Sequence, residues 1–313
     1  MNTSPFLLSI IVPIYNEEHV LTLFNKRVID AIKPLNIAFE IIYINDGSSD
    51  NSEHIILDLK KQYPEITYIK FSRNFGKEAA MTAGFDFCKG EAAIIIDADL
   101  QDPPELIPLM LNAWRNGADL VNMKRSVRHG ETLFKKITAH LFYKLIGKIG
   151  EVAVPYNVGD FRLFSRRAIL AVKQMNERGR FMKGLYAWIG YPQTTLEYVR
   201  EGRAAGTTKW PLLKLFELAW HGITAFSTTP LKIATWLGLF SAGGAFLYAF
   251  YFMVKNLITR DAVQGFPTLI IIILFIGGVQ LFCMGILGEY IARIYTEVKQ
   301  RPIYLIEKNY PSE

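Results

Sequence analysis

The chain has 313 residues, half of them hydrophobic, 13% aromatic and 20% charged, with 35 Lys and Arg against 29 Asp and Glu for a net charge of +6. That composition excludes a disordered or fibrous chain and points to apolar surface buried in something other than a protein core. Cys88 and Cys283 stand alone and far apart, which makes neither a disulfide framework nor a zinc site, and a reducing compartment is expected.

The first ten residues hold no basic stretch ahead of their apolar run, so a secretory leader is not expected. Residues 1 to about 125 then alternate β-branched runs with helical segments. Strands are predicted at Leu7–Val12, Phe39–Asn45, Thr67–Phe71, Ala92–Asp97 and Asp119–Met123, with helices near Glu17–Lys33, Ser52–Tyr63, Lys77–Cys88 and Pro104–Asn116. The first and fourth strands are continuously apolar, as in a sheet covered on both faces. Such alternation predicts right-handed βαβ units in a mainly parallel sheet, with ligands bound beyond the carboxyl ends of the strands.

Three of those ends are polar: Val12-Pro13-Ile14-Tyr15-Asn16-Glu17-Glu18, Ile44-Asn45-Asp46-Gly47-Ser48-Ser49-Asp50 and Ile96-Asp97-Ala98-Asp99-Leu100-Gln101-Asp102. Singly, each reads as well as turn chemistry that starts a helix. Together they line one expected crevice. Asp97 and Asp99, two apart where an apolar strand ends, with Gln101 two further on, are oxygen ligands suited to a hard cation, Mg²⁺ or Mn²⁺, that leaves positions open for phosphate oxygens. Arg73 to Glu78, after the third strand, divides between a helix start and a wall of the same crevice.

Residues 124 to 148 hold Lys124, Arg125, Arg128, Lys135, Lys136, Lys144 and Lys148 against Glu131 alone, an excess equal to the net charge of the chain. Phe134, Ile137, Leu141 and Leu145 recur there at helical spacing, so the stretch reads either as a basic amphipathic helix on an anionic membrane or as a basic face over the sheet. Trp210 to Ile223 forms a second amphipathic segment. Lys209, at its entrance, either clasps an anionic acceptor or reaches to the membrane interface. Nucleic acid is not an expected partner, because the basic stretch precedes apolar spans.

No ionisable residue occurs between Lys232 and Lys255 or from Ala262 to Gly288, and either run is long enough to cross a bilayer. A multi-pass hairpin is predicted, spans near 233–254 and 266–288, with both outer ends on one side. Lys214, Lys232, Arg293, Lys299 and Arg301 flank those ends, which places the rest of the chain and both termini in the cytoplasm, at the plasma or inner membrane. The expected division is a catalytic domain at 1–230, the hairpin at 231–290 and a tail at 291–313. Neither span carries an ionisable residue to form a translocation path, so a transporter is disfavoured. The five histidines lack metal-ligand spacing, and no Gly-x-Ser-x-Gly, P-loop or Gly-x-Gly-x-x-Gly motif occurs.

The three strand-end motifs, with Arg73-Asn74-Phe75-Gly76-Lys77-Glu78, Asn157-Val158-Gly159-Asp160-Phe161-Arg162, Gly288-Glu289-Tyr290-Ile291 and the two spans, resemble family-2 glycosyltransferases of the polyprenyl-phosphate type over nearly the whole chain. Dolichol-phosphate mannose synthase and the bactoprenol glucosyltransferases belong to that group, and the latter are the more similar. The resemblance implies a GT-A catalytic domain, Rossmann-like with a mainly parallel sheet, followed by the transmembrane hairpin. It also implies inverting transfer of one hexose to polyprenyl (undecaprenyl) phosphate, with UDP-glucose as expected donor and GDP-mannose or a formamido-arabinose donor as alternatives. By motif, Pro13, Tyr15, Glu17 and Asp46 would surround the nucleoside, and Lys77 and Asp97 would complete the nucleotide-sugar site. Asp97, Asp99 and Gln101 would hold the metal and diphosphate.

Asp160 matches the family's aspartate base, and Arg162 and Arg125 are the further catalytic candidates. Arg125, Arg128 and Lys209 fall where the family contacts the acceptor phosphate. The Gln-x-x-Arg-Trp signature of processive synthases is missing, since Gln193-Thr194-Thr195-Leu196-Glu197 does not satisfy it. The family suggests homotetramers. A phosphate acceptor is already mostly dianionic at neutral pH, its second pKa being about 6, so Asp160 is expected chiefly to orient Arg162 or the metal's surroundings. A membrane-tethered sugar-nucleotide sensor is the non-catalytic alternative, disfavoured by the complete acidic set.

Overall fold

The computed structural model of the chain describes residues 6–126, 158–199, 224, 227–259 and 265–312. The alternation predicted for the first half is present as β1 (Leu7–Ile14), α1 (Leu21–Ile32), β2 (Ala38–Asn45), α2 (Ser52–Gln62), β3 (Ile66–Phe71), α3 (Lys77–Phe87), β4 (Ala92–Ile95), α4 (Ile107–Arg115) and β5 (Leu120–Arg125). Sequence patterning did not foresee β6 (Val158–Ser165), α5 (Arg166–Gln174), α6 (Met182–Trp188) or β7 (Gln193–Tyr198). Two long helices follow, α7 (Thr229–Thr259) and α8 (Phe266–Val298), and then β8 (Ile306–Tyr310). Arg128, Lys209, Asn157 and nearly all of both amphipathic segments lie outside the described residues.

Among the described residues the strands form one sheet in the order β7-β5-β6-β4-β1-β2-β3-β8. Strands β1 to β4 run parallel, as do β5 and β7. β6 is inserted antiparallel between β4 and β5, and β8 adds antiparallel to the outer edge of β3. The arrangement is the GT-A fold, with its mainly parallel sheet.

The continuous hydrophobicity of β1 has a direct cause. Leu8, Ile10, Val12 and Ile14 point to the face covered by α1, α2 and α4, while Ile11 points to the face covered by α3, α5 and α6, and all are buried. Helix α3 lies unusually close to β1. Its inward face is Ala79, Ala80, Ala83 and Gly84, and a Cβ built on Gly84 would fall 2.1 Å from Ile11 Cγ2. Small residues thus let the helix settle on the strands and bring its first residue, Lys77, to their carboxyl ends.

Helices α7 and α8 are long and apolar enough to cross a membrane, and the apolar stretch is 0% buried in one and 6% in the other. Apolar surface open on nearly all sides is the pattern of a lipid-covered hairpin rather than of a core. Both helices outrun the predicted spans. The last residues differ from the expected tail: α8 continues to Val298, and the chain then returns to the sheet as β8. Tyr304 stacks on Phe71 at 4.9 Å, Tyr310 on Tyr68 at 6.1 Å, and Ser72 N–H donates to Leu305 O at 3.0 Å. The end of the second span is thereby fastened to the strand that leads into the Arg73–Lys77 loop.

Candidate active site

The first two motifs interlock. Asn16 sits in the left-handed region at φ 57°; its backbone N–H donates to Ser48 Oγ (3.0 Å) and its Oδ1 accepts from Ser49 N–H (2.8 Å). Glu17 N–H donates to Ser52 Oγ, Glu18 N–H to Asp50, and Asn51 N–H to Glu18. For Asn16, Ser48, Ser49 and Asp50 the turn chemistry is therefore real, and its effect is to hold two loops side by side at the carboxyl edge. Asp46 clamps a third loop: Oδ1 accepts from Phe75 N–H at 2.6 Å and Oδ2 from Gly76 N–H at 2.9 Å. Gly47, at φ +72°, lets that loop approach, because a Cβ there would come within 2.6 Å of Asn74 N.

These loops and the end of β4 enclose a cavity of about 480 Å³ lined by Pro13, Tyr15, Glu17 and Asp46, with Asn74, Lys77, Asp97 and Asp99 among the other walls. Register explains its centre. Ile95, the last residue of β4, pairs with Arg162 of antiparallel β6, so Asp97, two residues beyond β4, and Asp160, two residues before Arg162, leave the ladder at the same end. Lys77 bridges them: its Nζ lies 2.7 Å from Asp97 Oδ1 and 2.6 Å from Asp160 Oδ2. Asp99 turns one oxygen to Gln101 N–H, at 3.1 Å. The carboxylates of Asp97 and Asp99 therefore face one cavity, and an ammonium group already rests on Asp97. The place accepts cationic charge, and the donor set fits a hard divalent ion. Gln101 is not among the lining residues.

Charge coupling sets the protonation states. Burial works against the charges on Lys77 and Asp160, but their mutual attraction outweighs it. Lys77 is held well above the usual lysine range, and Asp160, with Lys183 also facing it, below the usual carboxylate range. Lys183 itself is lowered by burial. Burial, with Asp160 nearby, pushes Glu78 up to about 7, although it accepts a hydrogen bond from Met182 N–H at 3.1 Å. Glu78 entered the sequence reading only as the last residue of the Arg73–Glu78 stretch, and Lys183 lies in no recognised motif; docking of α6 on the start of α3 brings both to the site.

Arg125 leans over β6, where a Cβ on Gly159 would lie 3.0 Å from its Nη2, and its Nε donates to Tyr198 Oη at 3.4 Å. Tyr198 in turn donates to buried Asp102. Arg162 differs from expectation. It is fully buried, donates through Nε to Gly159 O at 3.0 Å, and has its guanidinium 5.1 Å from the Tyr186 ring centre. Asp160 is hydrogen-bonded to Lys77 rather than to Arg162. Strand alternation puts residues 160 and 162 on one face, but Arg162 points at the core under α6, away from the cavity.

Residues 9–172 match Glycosyl transferase family 2, and residues 229–294 match the GtrB C-terminal hairpin. An uncharacterized glycosyltransferase of Synechocystis sp. is 47% identical over 299 residues, covering 96% of this chain and 94% of the relative. The uncharacterized glycosyltransferase YkcC of Bacillus subtilis is 43% identical, covering 97% and 94%. The SfII prophage-derived bactoprenol glucosyl transferase of Shigella flexneri is 47% identical over 305 residues, covering 97% and 98%.

Proposed function

Because this chain belongs to glycosyl transferase family 2, we propose that it transfers one glucose from UDP-glucose to polyprenyl phosphate, with inversion at the anomeric carbon, on the cytoplasmic face of the membrane its hairpin spans. The observation that carries the reading is the Asp97–Lys77–Asp160 bridge in the strand-end cavity. Similarity to bactoprenol glucosyl transferases along nearly the full length of both chains supports the choice of acceptor.

The chemistry asks for little base catalysis. A phosphate monoester with a second pKa of about 6 is mostly dianionic at neutral pH and is already a nucleophile. The harder task is to bring that dianion up to the diphosphate of the donor. Lys77, Lys183 and Arg125 supply fixed positive charge around the meeting point, which is electrostatic preorganisation. Asp160, kept ionised below the usual range, is a poor base and a good anchor for Lys77. Asp97 and Asp99 would hold Mg²⁺ or Mn²⁺, whose chemistry is to neutralise the departing nucleoside diphosphate. Tyr15, half-exposed on the wall, with Pro13 and Glu17, would face the nucleoside.

The test is incubation of the purified chain with polyprenyl phosphate and, in turn, labelled UDP-glucose and GDP-mannose, with metal or with chelator, followed by organic extraction. Label from UDP-glucose should reach the organic phase only with metal. Label from another donor reassigns the sugar, and saturable nucleotide binding without lipid product overturns the transferase reading.

A further inference from the structure

A second cavity, of about 560 Å³, opens where the end of α8 meets the catalytic sheet. Its walls carry Arg73 and Phe75 from the β3–α3 loop, Arg178 from the loop before α6, Tyr295 of α8, and Lys299 and Arg301 just after that helix. Among the described residues no carboxylate pairs with any of the four cations. Arg73 donates to Asn74 O and lies 4.1 Å from the Phe75 ring centre; Lys299 lies 3.9 Å from that of Tyr295. Arg178 donates through Nη1 to Asn176 O, while its Nε is buried without a partner. Glu297, on the last turns of α8, is turned instead to the backbone N–H groups of Arg178 and Gly179.

Four cations around one cavity, none in an ion pair with a carboxylate among the described residues, call for an anion with several acceptor oxygens, and guanidinium groups suit phosphate. Position indicates its source. The charge-free run of α8 ends at Gly288, and Tyr295 lies seven residues on, roughly 10 Å along a helix. The headgroup layer extends about 5–7 Å beyond the hydrocarbon, and long basic side chains span the remainder. We infer that this cavity binds the phosphate headgroup of an anionic membrane lipid, phosphatidylglycerol in the simplest case, at a site separate from the donor cavity. Alternate residues of one loop serve the two cavities: Arg73 and Phe75 face the lipid site, while Asn74, Gly76 and Lys77 face the donor site. A headgroup held by Arg73 thus steadies the loop that carries Lys77.

The test uses the full chain in neutral-detergent micelles, with native mass spectrometry to count retained lipid and no sugar transfer required. Phosphatidylglycerol and phosphatidylcholine are offered separately, and inorganic phosphate is the competitor. The chain should retain phosphatidylglycerol over phosphatidylcholine. Lys299→Gln should weaken retention about fivefold and Arg178→Gln with Arg301→Gln about thirtyfold, at roughly 1 kcal/mol per cation near a membrane surface. Arg301→Lys should keep it. Lys299 is exposed, so that variant remains informative if the double variant fails to fold. Unchanged retention in the glutamine variants overturns the site. Displacement of the lipid by inorganic phosphate at equal concentration assigns it to a soluble phosphate ester and overturns the lipid reading.

Discussion

Replacing Gly84 by alanine puts a methyl group 2.1 Å from Ile11 Cγ2, where packed carbons need about 3.5–4.0 Å. Ile11 is fully buried in β1, between β2 and β4, so the strand cannot give way. Helix α3 must move outward by about 1.5 Å, or Ile11 must leave its rotamer. Overpacking of this kind costs about 1–3 kcal/mol, which lowers the melting temperature of a domain this large by roughly 4–8 °C at about 2 kcal/mol. Lys77 begins the same helix two turns away, and a misplacement near 1 Å at a reacting centre costs about 100-fold in rate. Gly84→Ala should therefore lose both stability and sugar transfer. Ile11→Ala removes the Cγ atoms and leaves only the residue-11 Cβ at 3.2 Å, so Gly84→Ala in that background should cost much less than in the parent. The assay is a double-mutant cycle on melting temperature with transfer rates beside it. Equal cost in both backgrounds, or a single variant melting within about 1 °C of the parent, refutes the close-contact argument.

Burial raises the Glu78 carboxyl to about 7, and a carboxyl raised by folding costs stability as pH climbs from its unfolded value near 4.5 to about 7. Glu78→Gln should then match the parent near pH 4.5 and gain about 2 kcal/mol at pH 8, allowing for its partial exposure; the same offset at both pH values contradicts the assignment. Lys77→Met strips the shared counter-ion from Asp97 and Asp160, so kcat/KM should fall about 100-fold, or about 3 kcal/mol. Its Mn²⁺ affinity without donor should rise as a competing cation leaves Asp97, and a fall would show that Lys77 supports the ion instead. Asp160→Asn should keep a flat pH–rate profile between pH 7 and 9, because the acceptor needs no deprotonation; a rate recovering steeply with pH would make Asp160 the base.

The parallel half of the sheet was legible because its strands are buried on both faces: Leu7–Val12 and Ala92–Ile95 contain little but apolar residues, and the loops at their ends collect the polar ones. β6 was hidden by Asp160 and Arg162, which break the apolar pattern that Phe161, Leu163 and Phe164 would otherwise give. β8 was hidden for the opposite reason, since Ile306–Tyr310 is an exposed, polar edge strand whose only signal is its pairing with β3. At the site, the motifs identified Asp97, Asp99, Lys77 and Asp160 individually. Their meeting was not legible, because it depends on the antiparallel β4–β6 register across 63 residues of sequence. Arg162 illustrates the same limit. A motif position cannot distinguish a side chain that enters the cavity from one turned into the core beneath Tyr186.

Diffraction at the manganese absorption edge, from crystals of the full chain soaked with Mn²⁺ and UDP-glucose, puts the acidic pair at β4 to the most direct trial. The expected map has one strong anomalous peak in contact with carboxylate oxygens of both Asp97 and Asp99 and with the donor's phosphates. Nucleotide bound in the cavity with no peak there, or with the ion held elsewhere, would contradict the assignment.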